Sequence, residues 1–229
     1  MLKNKEKDLI TSIILGDGGI YKQKDYNSYY IYVGHGKDQK DYCEWKMNLL
    51  NQSKLFDTPI TMHTKEIQHY NGKKYIQYFF KKCGFFLKFI YDKTIVDDVK
   101  TIYELLPMLK TTRGVAIWFM DDGSVEEGRW KDKYGNKHTT RPNIKLCTHS
   151  FSYEENIYIQ KWFKQKYNLE CNIKEEVKRH KDGSIKNKYY YLRFDVDNSE
   201  YLYKNILKEY VKCCKSMEYK FRHCIEKFD

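Results

Sequence analysis

Along the chain, the pattern of apolar and polar positions switches between a helical period and a strand period. Ile10-Thr11-Ser12-Ile13-Ile14-Leu15-Gly16-Asp17-Gly18 and Val115-Ala116-Ile117-Trp118-Phe119-Met120-Asp121-Asp122-Gly123 are apolar runs long enough for two helical turns, each closed by Asp-Gly. They predict two buried helices, each with a carboxylate as the last residue before a C-terminal glycine. After the first, residues 20–23 and 29–33 flank the turn-like stretch 25–28 and predict a hairpin. A helix follows over 40–53, with Tyr42, Trp45, Met47, Leu49 and Leu50 as its imperfect apolar face. A second hairpin, 60–67 and 74–80, turns at Asn71-Gly72, where both residue types tolerate positive φ. Residues 85–91 and 95–106 predict two further helical stretches.

The second half repeats this order. A long basic hairpin, 125–131 and 138–147, turns at 132–136; a helix covers 153–167; a hairpin, 171–179 and 188–195, turns at 180–183; a helix covers 199–214. Equivalent landmarks are offset by 105 for Asp17 and Asp122, 111 for Gly72 and Gly183, and 114 for His35 and His149. A drifting offset means duplication with insertions. The halves are 8–106 and 107–229, preceded by a polar, charged lead-in over 1–8.

A carboxylate at the carbonyl end of a helix is poorly placed, because that end already carries partial negative charge. A single copy reads as a core helix that happens to end in Asp-Gly. Two copies packed side by side bring two carboxylates together, and they repel unless cations lie between them. Hard divalent cations with oxygen ligands are the natural occupants.

These residues resemble the two LAGLIDADG motifs of the single-chain homing endonucleases, a family whose helices use small residues for close approach. Ser12, Gly16 and Ala116 fit that pattern, whereas Ile117 and Asp121 stand where small residues are common. The Trp118-Phe119-Met120-Asp121-Asp122-Gly123 run is similar to a yeast mitochondrial intron-encoded branch of the family. The resemblance covers about residues 8–222. It implies an α+β fold of two pseudo-symmetric αββαββα repeats, forming a DNA-binding saddle of antiparallel sheets with the two motif helices at its centre.

It also implies a reaction: a double-strand break in a long, asymmetric DNA target by metal-dependent phosphodiester hydrolysis, leaving short 3′ overhangs. Asp17 and Asp122 match the metal-binding acids, and the carbonyl oxygens of Gly16 and Asp121, freed at helix ends, can join them. The expected ion is Mg²⁺, with Mn²⁺ able to substitute. Aligning Gly123 with Gly18 selects Asp122 over Asp121, which then reads as a structural polar group. The family places a basic residue of each half near the attacking water; by position Lys93 and Lys220 resemble these. His35 and His149, each following a strand, read as capping or water-orienting residues, with general-base chemistry as the other possibility.

Charge changes the picture next. The net charge is +11, with 42 Lys and Arg against 31 Asp and Glu, which points to a polyanionic partner. Exposed strand and turn positions are basic and polar, and a β-ribbon fits the major groove. Candidates in the first half are Lys22, Lys24, Lys65, Gln68, His69, Lys73 and Gln77. Those in the second are Arg129, Lys131, Lys133, Lys137, His138, Arg141, Lys178, Arg179, Lys181, Lys186 and Lys188. Any one lysine alone reads as a solvated charge; the expectation belongs to the set, most of it on phosphate. The resemblance implies double-stranded DNA as the expected partner, with intron RNA as a further candidate, and a monomer with internal pseudo-two-fold symmetry.

Seven cysteines lack zinc-site spacing and an N-terminal signal is absent, so reduced thiols in an intracellular compartment are expected, either an organelle or a bacterial or phage cytoplasm. No apolar run reaches membrane-spanning length. Two other functions share the fold: an intron RNA maturase, and a DNA-binding protein that has lost cleavage. Retention of two mutually repelling acids favours the nuclease.

Overall fold

The computed structural model describes residues 2–24, 26–68, 72–97 and 99–229. Cα packing divides the chain into two compact units, one holding residues up to Asp121 with Glu209–Glu218, the other Asp122–Lys208 with Tyr219–Asp229. The fold is mixed α+β, and both four-stranded sheets are antiparallel.

The first unit begins with α1 (Asn4–Leu15), whose start is fixed where Glu6 accepts the Lys3 backbone N–H at 2.7 Å. Residues Asp8 to Leu15 are all buried. Strands β1 (Gly19–Lys22) and β2 (Tyr29–Gly36) lead to α2 (Lys40–Gln52), then β3 (His63–Gln68) and β4 (Lys74–Cys83). They form one sheet in the order β1-β2-β4-β3. In β2 burial alternates, so Tyr29, Ile31, Val33 and His35 face inward. Then come α3 (Leu87–Thr94), β5 (Ile95–Val96), β6 (Val99–Lys100), α4 (Ile102–Leu105) and α5 (Thr112–Asp122).

Helices α1 and α5 lie side by side and run the same way. At their N-terminal ends, the buried Asp8 carboxylate accepts N–H bonds from Lys110 (2.5 Å) and Thr111 (2.9 Å) and the Thr111 hydroxyl (2.7 Å). It caps the positive end of α5. At their C-terminal ends, a methyl group at Gly16 would sit 2.5 Å from Asp121 Cγ. Only glycine admits Asp121 there.

The second unit holds β7 (Gly123–Glu126), β8 (Arg129–Lys131), β9 (Lys137–Thr139), β10 (Asn143–Leu146), α6 (Tyr153–Tyr167), β11 (Cys171–Arg179), β12 (Ile185–Phe194), α7 (Val196–Leu202), a π turn and, after its first residue, α9 (Glu218–Phe228); α8 (Lys208–Cys213), which lies between the π turn and α9 in the chain, belongs to the first unit from Glu209 onward. Its sheet order is β11-β12-β10-β7. No helix among the described residues is long and apolar enough to cross a membrane.

Five expectations need correction. The first motif helix stops at Leu15, so Asp17 lies beyond it, and Gly18 donates its N–H to Ile13 O at 3.0 Å. Gly18 is needed for space rather than positive φ, since a Cβ there would lie 2.7 Å from that same oxygen. Residues 95–106 do not form one helix. The β-branched run Thr94-Ile95-Val96 and Val99 makes a tight ribbon, with Asp97 at φ 50°. The helix expected over 85–91 begins later, at Leu87. The long basic hairpin is broken, because Pro142 cannot donate to the ladder and Gly128 instead bonds Thr140; β8 and β9 form a separate ribbon. Helix α9 was not expected at all.

Candidate active site

The first motif ends in a charge cluster whose key member is on α2. Lys46, fully buried, donates to both Asp121 carboxylate oxygens, at 2.6 and 2.7 Å, and to His35 Nε2 at 3.1 Å. Its ammonium also stands 4.3 Å from the centre of the Tyr42 ring. Burial, then the Asp121 charge, pushes the Tyr42 phenol well above its ordinary value, and its O–H donates to Ile117 O at 3.2 Å. Asp121 Oδ2 in turn accepts the Asp17 backbone N–H at 3.0 Å. The Asp17 side chain itself is 46% exposed.

His35 Nδ1 faces Gln39 Oε1 at 3.3 Å and Asp17 Oδ2 at 3.7 Å. Because Nε2 accepts from an ammonium, the network assigns the proton to Nδ1. Among the described residues, ligand atoms of Asp17, His35 and Asp121 all lie within 4.8 Å of one another. That trio does not suit a divalent ion, since the Lys46 ammonium already lies against two of its members.

The lysine at this helix end is Lys100. Its Nζ donates to Ile14 O at 2.8 Å and approaches Gly16 O at 3.5 Å. The structure puts Lys93 elsewhere, 4.0 Å from Glu104 and 5.0 Å over the Phe89 ring. Lys100 also lines a cleft of about 870 Å³ with Gly18, Lys22, Lys24, Tyr30 and Lys81.

In the second unit, Asp122 accepts the Cys147 N–H at 3.0 Å. Burial and then the Asp122 charge push the Cys147 thiol up, while Lys145 and Lys220 pull it down. Asp122 and Lys220 thus both act on the Cys147 thiol. His149 is not a cap: Ser152 and Glu155 cap α6, and the His149 ring lies tilted against Tyr189, 5.3 Å between centres, and 3.7 Å from Glu176. Nor is His149 the counterpart of His35. Helices α2 and α6 start 113 residues apart, at Lys40 and Tyr153. The same offset carries His35 onto the buried Thr148 and Lys46 onto the buried Ile159. One residue of slip exchanges the two faces of a strand.

The residues expected to touch DNA fall on different surfaces. Lys65 and Gln77 are cross-strand partners on the outer face of the first sheet, where Lys65 lies 5.2 Å over Tyr32 and Tyr32 donates to Gln77 at 2.8 Å. Gln68 alternates onto the opposite face, with Lys73 in the turn beyond it. His69 lies outside the described residues. In the second sheet, Lys178 lies 4.9 Å over Tyr189 on the outer face, and Lys188 points with Glu175 to the side of Leu192. Arg179 donates to Gly183 O within the turn that carries Lys181, and Lys186 is exposed on β12. On the β8–β9 ribbon, Arg129, Lys131 and Lys137 share one face; Lys133 is in the turn, and His138 stacks on Trp130 on the other face. Arg141 is tied down inside its unit by Glu200, Asp197 and Phe228.

Lys46 and Lys100 were missed. For Lys46 the sequence did hold a signal: Tyr42, Lys46 and Leu50 recur every fourth residue on one helix face, and all three are buried.

Comparison with known proteins bears on the family and the fold. The description "LAGLIDADG DNA endonuclease family" matches residues 7–217. The DNA endonuclease I-ChuI of Chlamydomonas applanata is 25% identical over 193 residues, spanning 80% of this chain and 82% of that protein. The probable intron-encoded endonuclease 1 of Wickerhamomyces canadensis is 30% identical over 180 residues, spanning 75% and 69%. In fold, the chain is similar to the homing endonuclease I-WcaI bound to its DNA recognition sequence, with a TM-score of 0.68, 24% identity and coverage of 96% and 87%. It is more distantly similar to I-DmoI in complex with DNA and Ca, with a TM-score of 0.50, 12% identity and coverage of 87% of each chain. Two Asp-Gly motifs, paired helices and two antiparallel sheets match one family from residue 7 to 217: the chain belongs to the LAGLIDADG DNA endonuclease family.

Proposed function

We propose that the chain is a homing endonuclease that makes a double-strand break in a long, asymmetric DNA site, each half (8–106 and 107–229) supplying the acid for one strand. The observation that carries this reading is the division of labour between neighbouring acids. Asp121 is buried and neutralised by Lys46, while Asp17 keeps an exposed carboxylate beside a basic cleft. A half-exposed carboxylate next to Gly18, in the wall of a cleft lined by Lys22, Lys24, Lys81 and Lys100, suits a cation and a phosphate better than it suits a core.

Asp17 with the Gly16 carbonyl, and Asp122 in the other half, would hold divalent ions, Mg²⁺ foremost. Such an ion, when bound, lowers the pKa of a water and offsets charge in the in-line displacement. Lys100 takes the place first given to Lys93, its ammonium positioned to meet a phosphate oxygen. Lys220 does so beside Asp122. Lys22, Lys24 and Lys65 hold the backbone phosphates. Affinity then falls steeply with salt as counterions are released.

The test is cleavage of a target library, including the intronless form of the host gene, with Mg²⁺ and with chelator. Asp17→Asn and Asp122→Asn should abolish the double-strand break and leave DNA affinity within about tenfold, or about 1.4 kcal/mol. Tight binding to DNA or intron RNA without any cut by the unaltered chain would refute the nuclease and favour a binding or maturase role.

A further inference from the structure

One ammonium reaches Asp17 by two routes. Through Asp121 it pins the Asp17 backbone N–H at 3.0 Å; through His35 it fixes the imidazole that faces the Asp17 carboxylate at 3.7 Å. Both intermediaries have fully buried or nearly fully buried side chains, so neither route is loosened by solvent. The second half has no copy of the device. Thr148 stands at the His35 position and Ile159 at the Lys46 position, and the motif residue matching Asp121 is Gly16. Overlap at Gly16 explains the last difference, because the paired helices can hold one carboxylate at that level and no second side chain.

We propose that Lys46 and His35 are positioning residues for Asp17 alone, so that the two strands of the target are cut by differently supported acids. Lys46 donates to Nε2, which places the His35 proton on Nδ1. That N–H faces Gln39 Oε1 at 3.3 Å and stands 3.7 Å from Asp17 Oδ2, beyond hydrogen-bond length, so it biases the outer carboxylate through its partial positive charge and its fixed place in the wall. A positively charged group already fixed in the wall also keeps the buried acid from competing for the ion. The strand preference rests on the nuclease reading above; the tautomer does not.

Two measurements decide it. In the first, each strand of the target duplex is end-labelled and its cleavage followed separately, with a supercoiled plasmid as a second substrate. His35→Leu should slow one strand by at least about tenfold and the other by less than about threefold. Nicked circles should then accumulate in place of linear product. His35→Gln, which keeps a donor and an acceptor, should recover most of that loss. Equal slowing of both strands, or no slowing of either, would overturn the proposal. The second measurement needs no cleavage: long-range ¹H–¹⁵N correlation on histidine-labelled protein. His35 should be the Nδ1–H tautomer in the native chain and lose that preference in the doubly substituted Lys46→Met, Asp121→Asn protein. An Nε2–H tautomer in the native chain, or a preference that survives the double substitution, overturns the relay even if the unaltered protein proves not to cut DNA.

Discussion

Lys46→Met removes the cation that faces both oxygens of Asp121, in a place where the two side chains are 0% exposed. Breaking a buried pair from one side costs about 3–5 kcal/mol, since the surviving charge stays out of water. Asp121→Asn should cost about as much, for it leaves the ammonium buried against Tyr42 and His35 instead. The doubly substituted chain carries no net charge at the site. Methionine fills the lysine stem volume, and the amide oxygen introduced at position 121 can still accept the Asp17 N–H. The double variant should therefore lose no more than either single does, a coupling of at least about 3–5 kcal/mol. For a chain of this length each kcal/mol moves the melting temperature by about 2–4 °C, so the single variants should melt about 6–20 °C lower. Urea denaturation of the four proteins at 25 °C closes the cycle. Singles that lose less than about 1 kcal/mol, or a double variant equal to the sum of the singles within about 0.5 kcal/mol, would refute the buried pair.

Two other expectations are local. Asp8→Ala removes the acceptor of three bonds at the start of α5, two of them from backbone N–H groups. It should cost about 2–3 kcal/mol in the same urea assay; a loss under about 0.5 kcal/mol would mean the cap is not needed. Burial pushes the thiols of Cys171, Cys214 and Cys224 up to about 12 and that of Cys43 to about 11, whereas Cys83 and Cys213 are exposed. Because the thiolate is the reacting form, a raised value means fewer thiolates at any given pH. At about pH 8 a chromogenic disulfide should therefore titrate Cys83 and Cys213 quickly, the half-buried Cys147 more slowly, and seven thiols after denaturation; a fourth equivalent without denaturant would contradict the burial of the other four.

Features decided within a few residues were readable from the sequence alone. Helix α6 spans Tyr153–Tyr167 as expected, because Ser152 and Glu155 cap its start and Asn168 ends it at φ 53°. The turns at Gly72 and Gly183 have positive φ of 79° and 86°, as a residue without Cβ allows. The two Asp-Gly motifs placed the paired helices and, through their resemblance, the family. What the sequence could not decide depends on residues far apart in the chain. Lys46 and Asp121 are separated by 75 positions, and neither shows its partner in its own neighbourhood. On α2 a lysine at a core position reads as an imperfection of the apolar face, and on α5 Asp121 reads as a second acid beside Asp122. Only when the sheet carries His35 inward and α1 presents a glycine to α5 do these residues converge. Local propensity sets where an element begins and ends; which buried charges neutralise one another is settled by packing, since in the unfolded chain each of them is solvated by water and has no need of the other.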